Sequence, residues 1–326
     1  MASSRTAGTN ENISTFGDGT RDYTAISTWE AATDNVLTTS MISEVLECYD
    51  DSTPYSMTSI QFAGAATSAD YRRILRAAEG HRHNGDPTAG VKFIVTGSPT
   101  FGFRLQENFF VLEDIIVTVD NPGGSTTNVV RADLSGDHRL TGVIVIDDAP
   151  AQPGSKRGFR IFPNTGTTIL RNCAAIGMND HGFFLSTGTV NADNCTARDN
   201  GDVGFNRTSG TITVRNCLSD GSTTADFSGT FDAASTDNAS SDATAPGSNP
   251  ETNQTFTYIA ADDPRIANSD VGAQELGADL SADFDDDIAF RTRDVPWDIG
   301  CYEASVPTGS GGGGGLAVIY RRRRRS

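Results

Sequence analysis

Apolar residues recur along this chain in short runs that are separated by glycine, asparagine and aspartate. In the middle of the chain the runs repeat every 22 residues, in three segments that begin at Thr167, Thr189 and Thr211 and each end in an Asn-Cys pair. A fixed period of about this length is typical of a solenoid, in which each repeat stacks on its neighbour. The repeats lack the 3.6-residue periodicity of a helix, so the pattern predicts strands.

Equivalent residues of stacked strands lie about 4.8 Å apart. We therefore predict an all-β fold, a single-stranded right-handed parallel β-helix. Cysteine and phenylalanine should form internal ladders, and asparagine should form a ladder at a turn, where each amide bonds to the next. The predicted ladder residues are Asn172, Cys173, Asn194, Cys195, Asn216, Cys217, Asn238, Phe183, Phe205 and Phe227.

The same register extends toward the N-terminus in longer repeats. Leu140 matches Leu170 at an offset of 30 residues, and Leu112 matches Leu140 at an offset of 28. Because the ends of a solenoid expose strand edges, both ends need a cap. Residues 23–33 include Ile26 and Trp29 among alanines and predict a short N-terminal capping helix.

The pattern divides the chain into four parts. Residues 1–22 are predicted to form an N-terminal arm, and residues 23–250 the β-helix with its N-terminal cap. Residues 251–305 are expected to fold back as a C-terminal cap. Residues 306–326 contain a glycine-rich linker and an apolar, arginine-rich tail that we interpret as an anchor.

The charge of the chain restricts its partners. The formal net charge is −17. Without the five arginines at 321–325 the net charge is near −22, and this negative charge should repel nucleic acid and anionic polysaccharide.

Five cysteines, an odd number at regular spacing, argue against a secreted disulfide framework. The first residues lack the apolar run of a signal peptide, and no segment has the roughly 18 apolar residues of a membrane span. We therefore expect folding in a host cytoplasm and no transmembrane span.

One segment near the C-terminus resembles a known group. The sequence DIGCYE at 298–303, preceded by Arg293 and Trp297, resembles the DIGAYE ending of bacterial and phage β-helix proteins with a pectin-lyase-like fold. Residues 262–266 and 277–280 resemble the part that precedes this ending. Some members are called choice-of-anchor proteins, because varied surface-sorting tails follow the same ending. The resemblance implies the fold but no single activity.

The tail is the most informative feature outside the repeats. Glycines at 311–315 precede the sequence LAVIY at 316–320 and five arginines at 321–325, as in a tethered binding peptide. The apolar run can add a strand to the sheet edge of a partner, and the arginines can contact acidic protein, lipid headgroups or packaged nucleic acid. The expected partners are other virion proteins of the capsid, portal or tail. The predicted partner-binding residues are Leu316, Val318, Ile319, Tyr320, Arg321, Arg322, Arg323, Arg324 and Arg325.

Asp180, His181 and Asp202 are weak catalytic candidates. Clustered aspartates beside a His-Gly pair resemble the sites of polygalacturonases, and glycoside hydrolysis needs two carboxylates about 5 to 10 Å apart. However, residues 200–205 repeat the same turn one coil later, so a role in the turn explains the motif first. We predict no catalytic site and no cofactor.

Asp283, Asp285 and Asp287 are weak Ca²⁺ candidates, because Ca²⁺ prefers several hard oxygen ligands. Their spacing differs from that of an EF-hand loop. A solvated acidic loop is the preferred interpretation, and no metal site is predicted.

Three functions are compatible with these features. The first is a non-enzymatic structural protein of a phage virion, such as a head decoration, fibre or spike, that docks through its tail. The second is a bacterial cell-surface β-helix protein with a sorting tail. The third is a polysaccharide lyase or hydrolase, a depolymerase, on the same scaffold. A host-surface glycan and a homotrimer are further alternatives, although coiled-coil heptads that would drive trimerisation are absent from the sequence.

Overall fold

The computed structural model describes residues 10–51, 54–120, 126–134, 137–149, 154–163 and 165–304. Its named strands, numbered β1 to β23 along the chain, pair in parallel and form three sheets. From β2 to β22 the chain visits the three sheets in turn, with one strand in each sheet per coil. This arrangement is a single-stranded parallel β-helix, and the predicted fold class is confirmed.

Each sheet collects one side of successive coils. The first sheet contains β1 (Asn10–Phe16), β2 (Ile42–Cys48), β5 (Arg73–Ala77), β8 (Phe110–Glu113), β11 (Arg139–Thr141), β14 (Thr167–Arg171), β17 (Thr189–Asp193) and β20 (Thr211–Arg215). The second contains β3 (Tyr55–Met57), β6 (Lys92–Thr96), β9 (Ile116–Asp120), β12 (Ile144–Asp147), β15 (Ala174–Ile176), β18 (Thr196–Arg198), β21 (Leu218–Asp220) and β23 (Ala239–Ser240). The third contains β4 (Ile60–Phe62), β7 (Phe101–Leu105), β10 (Thr127–Leu134), β13 (Lys156–Pro163), β16 (Phe183–Leu185), β19 (Val203–Arg207) and β22 (Ala225–Ser228).

A phenylalanine stack runs through the interior of the third sheet. Phe159, Phe183, Phe205 and Phe227 are aligned across β13, β16, β19 and β22. Successive ring centroids lie 4.7, 4.5 and 5.0 Å apart, and the rings are within 8° of parallel. Because every coil must keep this register to bury its ring, the stack fixes the pitch of the helix in this region.

The upstream register follows the sequence pattern. Leu140 pairs with Leu112 on one side and with Leu170 on the other, so the longer repeats stack in the predicted alignment. All three side chains are buried.

The five cysteines are free and buried at Cys48, Cys173, Cys195, Cys217 and Cys301. The first four belong to the main core, where they pack among apolar side chains. Burial raises the pKa of the Cys195 thiol well above its usual value, which disfavours the thiolate needed for metal binding or redox chemistry. The cysteine positions therefore fit a packing role.

A short helix covers the N-terminal end of the core. Helix α1 (Ile26–Ala32) buries Ile26 and Trp29 and precedes α2 (Leu37–Ser40). The Trp29 ring meets Phe62 edge-on at 6.4 Å. The structure thus contains the predicted N-terminal capping helix.

The predicted N-terminal arm differs from the structure. Residues 10–16 form β1, which pairs in parallel with β2 along its full length. Within the described residues, the β-helix therefore begins at Asn10, inside the segment that the sequence assigned to an arm. The sequence does not reveal this strand, because only Phe16 of its seven residues is buried and the apolar alternation of a half-buried strand is missing.

The C-terminal segment pairs with the last coil at Glu251 and then folds back along the side of the β-helix. Ile288, Cys301 and Tyr302 cover a row of apolar side chains on the outer face of the second sheet, namely Ile116, Ile144, Ile146, Ala174 and Ile176. A second patch farther along contains Leu218, Ala239, Ile266, Ala273, Ile299 and Ala304. The segment folds back as the sequence predicts, and it buries the outer face of the second sheet, which is apolar on both faces.

The asparagine ladder binds this returning segment. Asn172, Asn194 and Asn216 adopt left-handed backbone conformations, with φ of 50°, 50° and 52°. The amide of Asn194 donates to the carbonyls of Asp298 and Gly300 at 3.4 and 3.2 Å. One amide-to-amide bond is present, from Asn216 to Asn194 at 3.5 Å. The ladder therefore joins the coils mainly to the C-terminal segment.

Asn238 ends the ladder in a different way. Its side-chain oxygen accepts from the Cys217 backbone N–H at 2.9 Å, and its amide donates to the carbonyls of Val214 and Pro246.

None of the helices in the described ranges is both long and apolar enough to cross a membrane.

Candidate functional site

The weak catalytic candidates lie on two successive coils, in the turn between the second and third sheets. Asp180 and His181 lie between β15 and β16, and Asp202 occupies the same turn between β18 and β19. The turns stack because the Asp202 N–H donates to the Asp180 carbonyl at 3.0 Å. Glycine is needed at Gly201, where a Cβ would lie 2.7 Å from the carbonyl oxygen of Asn179.

The three side chains converge at the surface. One nitrogen or oxygen of each lies within 4.8 Å of the others, and no other group of His, Cys, Asp or Glu does so within the described ranges. His181 Nε2 is 3.2 Å from one oxygen of Asp180, and His181 Nδ1 is 3.5 Å from Asp202. Arg157 donates from Nε to the other oxygen of Asp180 at 2.8 Å. The structure thus brings together the three residues that the sequence singled out.

The imidazole of His181 is largely buried. Its side chain is 8% exposed and stacks on the ring of Phe184 at a centroid distance of 5.3 Å. Burial lowers the pKa of His181, although the charges of Asp180 and Asp202 oppose this shift. The ring is therefore neutral at neutral pH. Asn206 lies 3.0 Å from Nε2, whereas Nδ1 has no hydrogen-bond partner among the described residues.

The chemistry open to this cluster is limited by Arg157. A neutral imidazole and two carboxylates are ligand types that a divalent cation accepts. The short separation of the carboxylates is closer to that of a retaining glycosidase, about 5 Å, than to the wider gap of an inverting one. However, Asp180 is only 12% exposed and bound to Arg157, while Asp202 is 42% exposed. Because only one of the two carboxylates is accessible, the cluster fits a turn or a binding surface better than the acid and nucleophile of a glycosidase.

An arginine ladder on the third sheet was missed by the sequence analysis. Arg104, Arg131 and Arg160 are aligned on β7, β10 and β13. Asp133 binds Arg104 at 2.8 Å and Arg131 at 2.7 Å. Arg160 forms no ion pair with a described residue and instead lies over the ring of Phe162, at 4.6 Å from the centroid. The spacings of 27 and 29 residues, close to the local repeat length, are the signal that could have revealed the ladder.

These arginines extend the histidine cluster into a wider surface. Arg157 lies over the Phe184 ring at 4.4 Å, and Arg160 approaches the same ring at 6.0 Å. Cation–π contacts of this kind hold arginine side chains flat against a sheet. The outer face of the third sheet therefore carries a polar and aromatic strip beside Asp202.

Comparison with known proteins finds one distant structural likeness. No family model matches this chain, and no curated protein matches it. A solved structure described as the crystal structure of pectate lyase Pel9A aligns with 91% of this chain and 97% of its own, at 13% identity and a TM-score of 0.44. A likeness this distant carries no argument about activity. The DIGAYE resemblance therefore stays a prediction.

The Ca²⁺ candidates do not form a cluster. Asp287 is fully buried and accepts from Nε and Nη2 of Arg291 at 3.0 and 2.8 Å. Asp283 binds Arg215 at 3.0 Å, and Asp285 is exposed. Each carboxylate has a separate place in the returning segment, so the geometry favours a structural role. The predicted partner-binding residues at 316–325 lie outside the described residues.

Proposed function

We propose that this protein is a non-enzymatic structural component of a phage virion, such as a head decoration, fibre or spike. It presents a rigid β-helix and attaches through residues 316–325. The observation that carries the proposal is the continuous interior packing, in which stacked rings fix the coils while the returning segment binds the side of the helix. A β-helix that is packed throughout and covered on one side in this way suits a protein that bears mechanical load better than an enzyme whose site must move.

The tail supplies the attachment in this proposal. Five glycines separate it from the rest of the chain, so it can reach a partner without moving the β-helix. Its apolar run has the composition of a strand that adds to a sheet edge, and its arginines favour an acidic partner. Localisation in the virion, after folding in the host cytoplasm, follows from this role.

Deleting residues 316–325 tests the attachment. We expect the truncated protein to fold, because the buried apolar clusters are built from residues 16–304, and to be lost from purified particles. A matched control replaces the five glycines at 311–315 with serines, which keeps the linker flexible. Particles that retain the truncated protein at the normal level would overturn the anchor.

A glycan-cleaving depolymerase is the second candidate, and the convergence of Asp180, His181 and Asp202 favours it. Asp202→Asn removes the accessible carboxylate with little change in shape. If the cluster is catalytic, this change should lower cleavage of a capsular polysaccharide by about a hundredfold or more. If the cluster only shapes the turns, any measured cleavage stays unchanged. Asp294→Asn, which changes an exposed carboxylate away from the cluster, serves as the control.

The bacterial cell-surface alternative predicts that the protein remains with cells instead of particles.

A further inference from the structure

A row of polar and aromatic side chains runs along the outside of the third sheet, with one residue from each of its seven strands. Parallel pairing aligns these side chains along the axis of the β-helix. None of them is buried, whereas their chain neighbours Phe103, Val130 and Phe159 pack in the core. The members of this outward row are Gln61, Arg104, Arg131, Arg160, Phe184, Asn206 and Ser228.

Positive charge is concentrated on this face. The strands β7, β10, β13 and β16 contain five basic residues and one acidic residue, Asp133, whereas the whole chain contains 42 acidic and 25 basic residues. The ion pairs of these cations involve only three aspartates, because Arg104 and Arg131 share Asp133. Within the described part of the chain, the face therefore keeps an excess of positive charge, in a protein that is acidic overall.

The excess charge is centred on Arg160. This side chain pairs with no carboxylate of a described residue, and its Nε is buried without a hydrogen-bond partner among these residues. Burial lowers the pKa of Arg160, and the charges of Arg131 and Arg157 lower it further. An anion bound beside this guanidinium would stabilise its charged form.

The neighbouring rings orient the guanidinium groups. Phe162 lies 5.1 Å from Arg131 and 4.6 Å from Arg160, measured from the ring centroid, and Phe184 lies 4.4 Å from Arg157. A guanidinium that stacks by its face can still donate from its edge, and that planar edge matches a carboxylate. The favoured anion is therefore a carboxylate.

The spacing of the row distinguishes a polysaccharide from a peptide. Adjacent members of the row are one strand apart, or about 4.8 Å. Side chains on one side of an extended acidic peptide recur at about 6.6 Å, so they fall out of step with the arginines after the first pair. A pyranose unit in a 1,4-linked chain spans nearly one strand spacing, so one acidic sugar can lie over each coil.

We infer that the outward row binds a carboxylated polysaccharide that lies along the axis of the β-helix, with a sugar carboxylate on Arg160. The amides of Gln61 and Asn206 would bind sugar hydroxyls on either side of the arginines. This inference is independent of the proposed attachment through residues 316–325, because it involves different residues.

The net charge of the chain opposes such a ligand, but screening limits this effect. Charges more than about 8 Å away are largely screened at physiological ionic strength, so the local excess of arginine decides the attraction at the row. Asp202 is 42% exposed and lies beside His181, near Phe184, where it should bound the site. The repulsion expected from the net charge would therefore not extend to this face.

Titration calorimetry of the full chain with short alginate oligosaccharides, in which every sugar carries a carboxylate, tests this inference. The five arginines at 321–325 are replaced with glutamine in every protein, because they would attract any polyanion. We expect binding that weakens with salt, and Arg160→Gln should weaken it about tenfold or more. Arg160→Gln should also fold, because it leaves no carboxylate of a described residue without a partner.

The matched control is Arg139→Gln, which removes the same charge from a partly exposed arginine of the first sheet. It should change alginate binding less than twofold. Uncharged dextran should not bind, and a glutamate oligopeptide of equal charge should bind more weakly than alginate. Absence of alginate binding at low salt, equal losses in Arg160→Gln and Arg139→Gln, or tighter binding of the peptide would overturn the inference.

Discussion

At the scale of single residues, backbone conformation explains why asparagine recurs at the corner between the first and second sheets. Asn172, Asn194 and Asn216 all have positive φ, which costs most side chains about 1 to 2 kcal/mol but suits asparagine. Their amides also meet carbonyls of the returning segment that would otherwise lose a partner. Asparagine therefore serves both the turn between the two sheets and the contact with the returning segment.

Asn194→Ala should destabilise the protein by about 2 kcal/mol, because it combines left-handed strain with the loss of the two buried hydrogen bonds from the Asn194 amide to Asp298 and Gly300. Asn194→Gly should cost about 1 kcal/mol less, since glycine tolerates positive φ. The matched control is Asn249→Ala, which has the same φ of 50° at an exposed site. Chemical denaturation measures all three. Equal losses for Asn194→Ala and Asn249→Ala would show that the amide contacts contribute nothing.

The carboxyl group of Glu303 should make stability depend on pH. Burial raises its pKa from 4.5 to about 7, although Arg293 opposes the shift. Because the folded-state pKa lies above the unfolded value, the contribution of this group is fully present below pH 4.5 and is lost as the pH rises through about 7. Glu303→Gln removes this titration while keeping the shape of the side chain.

The thermal midpoint of the wild type, relative to that of Glu303→Gln, should therefore fall between pH 4.5 and 8. Burial lowers the pKa of His83 and His138 to about 4, so their contributions are lost as the pH falls toward that value. Both histidines remain in the variant, and their effect cancels in the difference. Parallel profiles for the two proteins would contradict the assignment.

At the scale of elements, the returning segment is held by one buried arginine. Arg293 donates to the side-chain oxygen of Asn172 at 3.2 Å, to the Gly300 carbonyl at 2.9 Å and to Glu303 at 3.2 Å. It is 4% exposed. This side chain therefore joins the DIGCYE segment to the asparagine ladder, and it explains why an arginine precedes that segment.

Arg293→Ala should detach the returning segment without unfolding the coils. Removal of one member of a buried ion pair costs about 3 to 5 kcal/mol, and Glu303 would be left without Arg293. Hydrogen exchange should become faster in residues 273–303 while β13, β16 and β19 keep their protection. Thr292→Ala, at an exposed residue of the same segment, is the control and should have a smaller effect. Equal loss of protection in every strand would show that the segment and the helix unfold as one unit.

The repeat in the sequence predicted the stacking of elements but not their outer contacts. The alignment of Phe183, Phe205 and Phe227 could be predicted because the repeat length can be read from the sequence, and the stacking of equivalent residues follows from it. The lateral position of the returning segment could not be predicted, because Ile144 and Ile176 read as ordinary core residues whichever face they occupy. The spacing of Asp180, His181 and Asp202 in the sequence predicted that they lie close together. The ion pair between Asp180 and Arg157 could be seen only in the three-dimensional structure.

At the scale of the whole molecule, charge and packing are distributed unevenly. The interior is continuous from the N-terminal helix to the last coil, and the returning segment covers the side of the second sheet. The five arginines lie at the C-terminal end of the sequence. This uneven distribution of charge agrees with the proposed attachment through the arginine-rich tail.

The copy number of the protein in purified virions tests the central proposal most directly. Quantitative mass spectrometry of particles from the source of this sequence would compare its abundance with that of the major capsid protein. A structural component should appear in a fixed ratio that survives repeated purification and nuclease treatment. Absence from the particles, with the protein recovered from cell surfaces or free in the medium, would contradict the proposal.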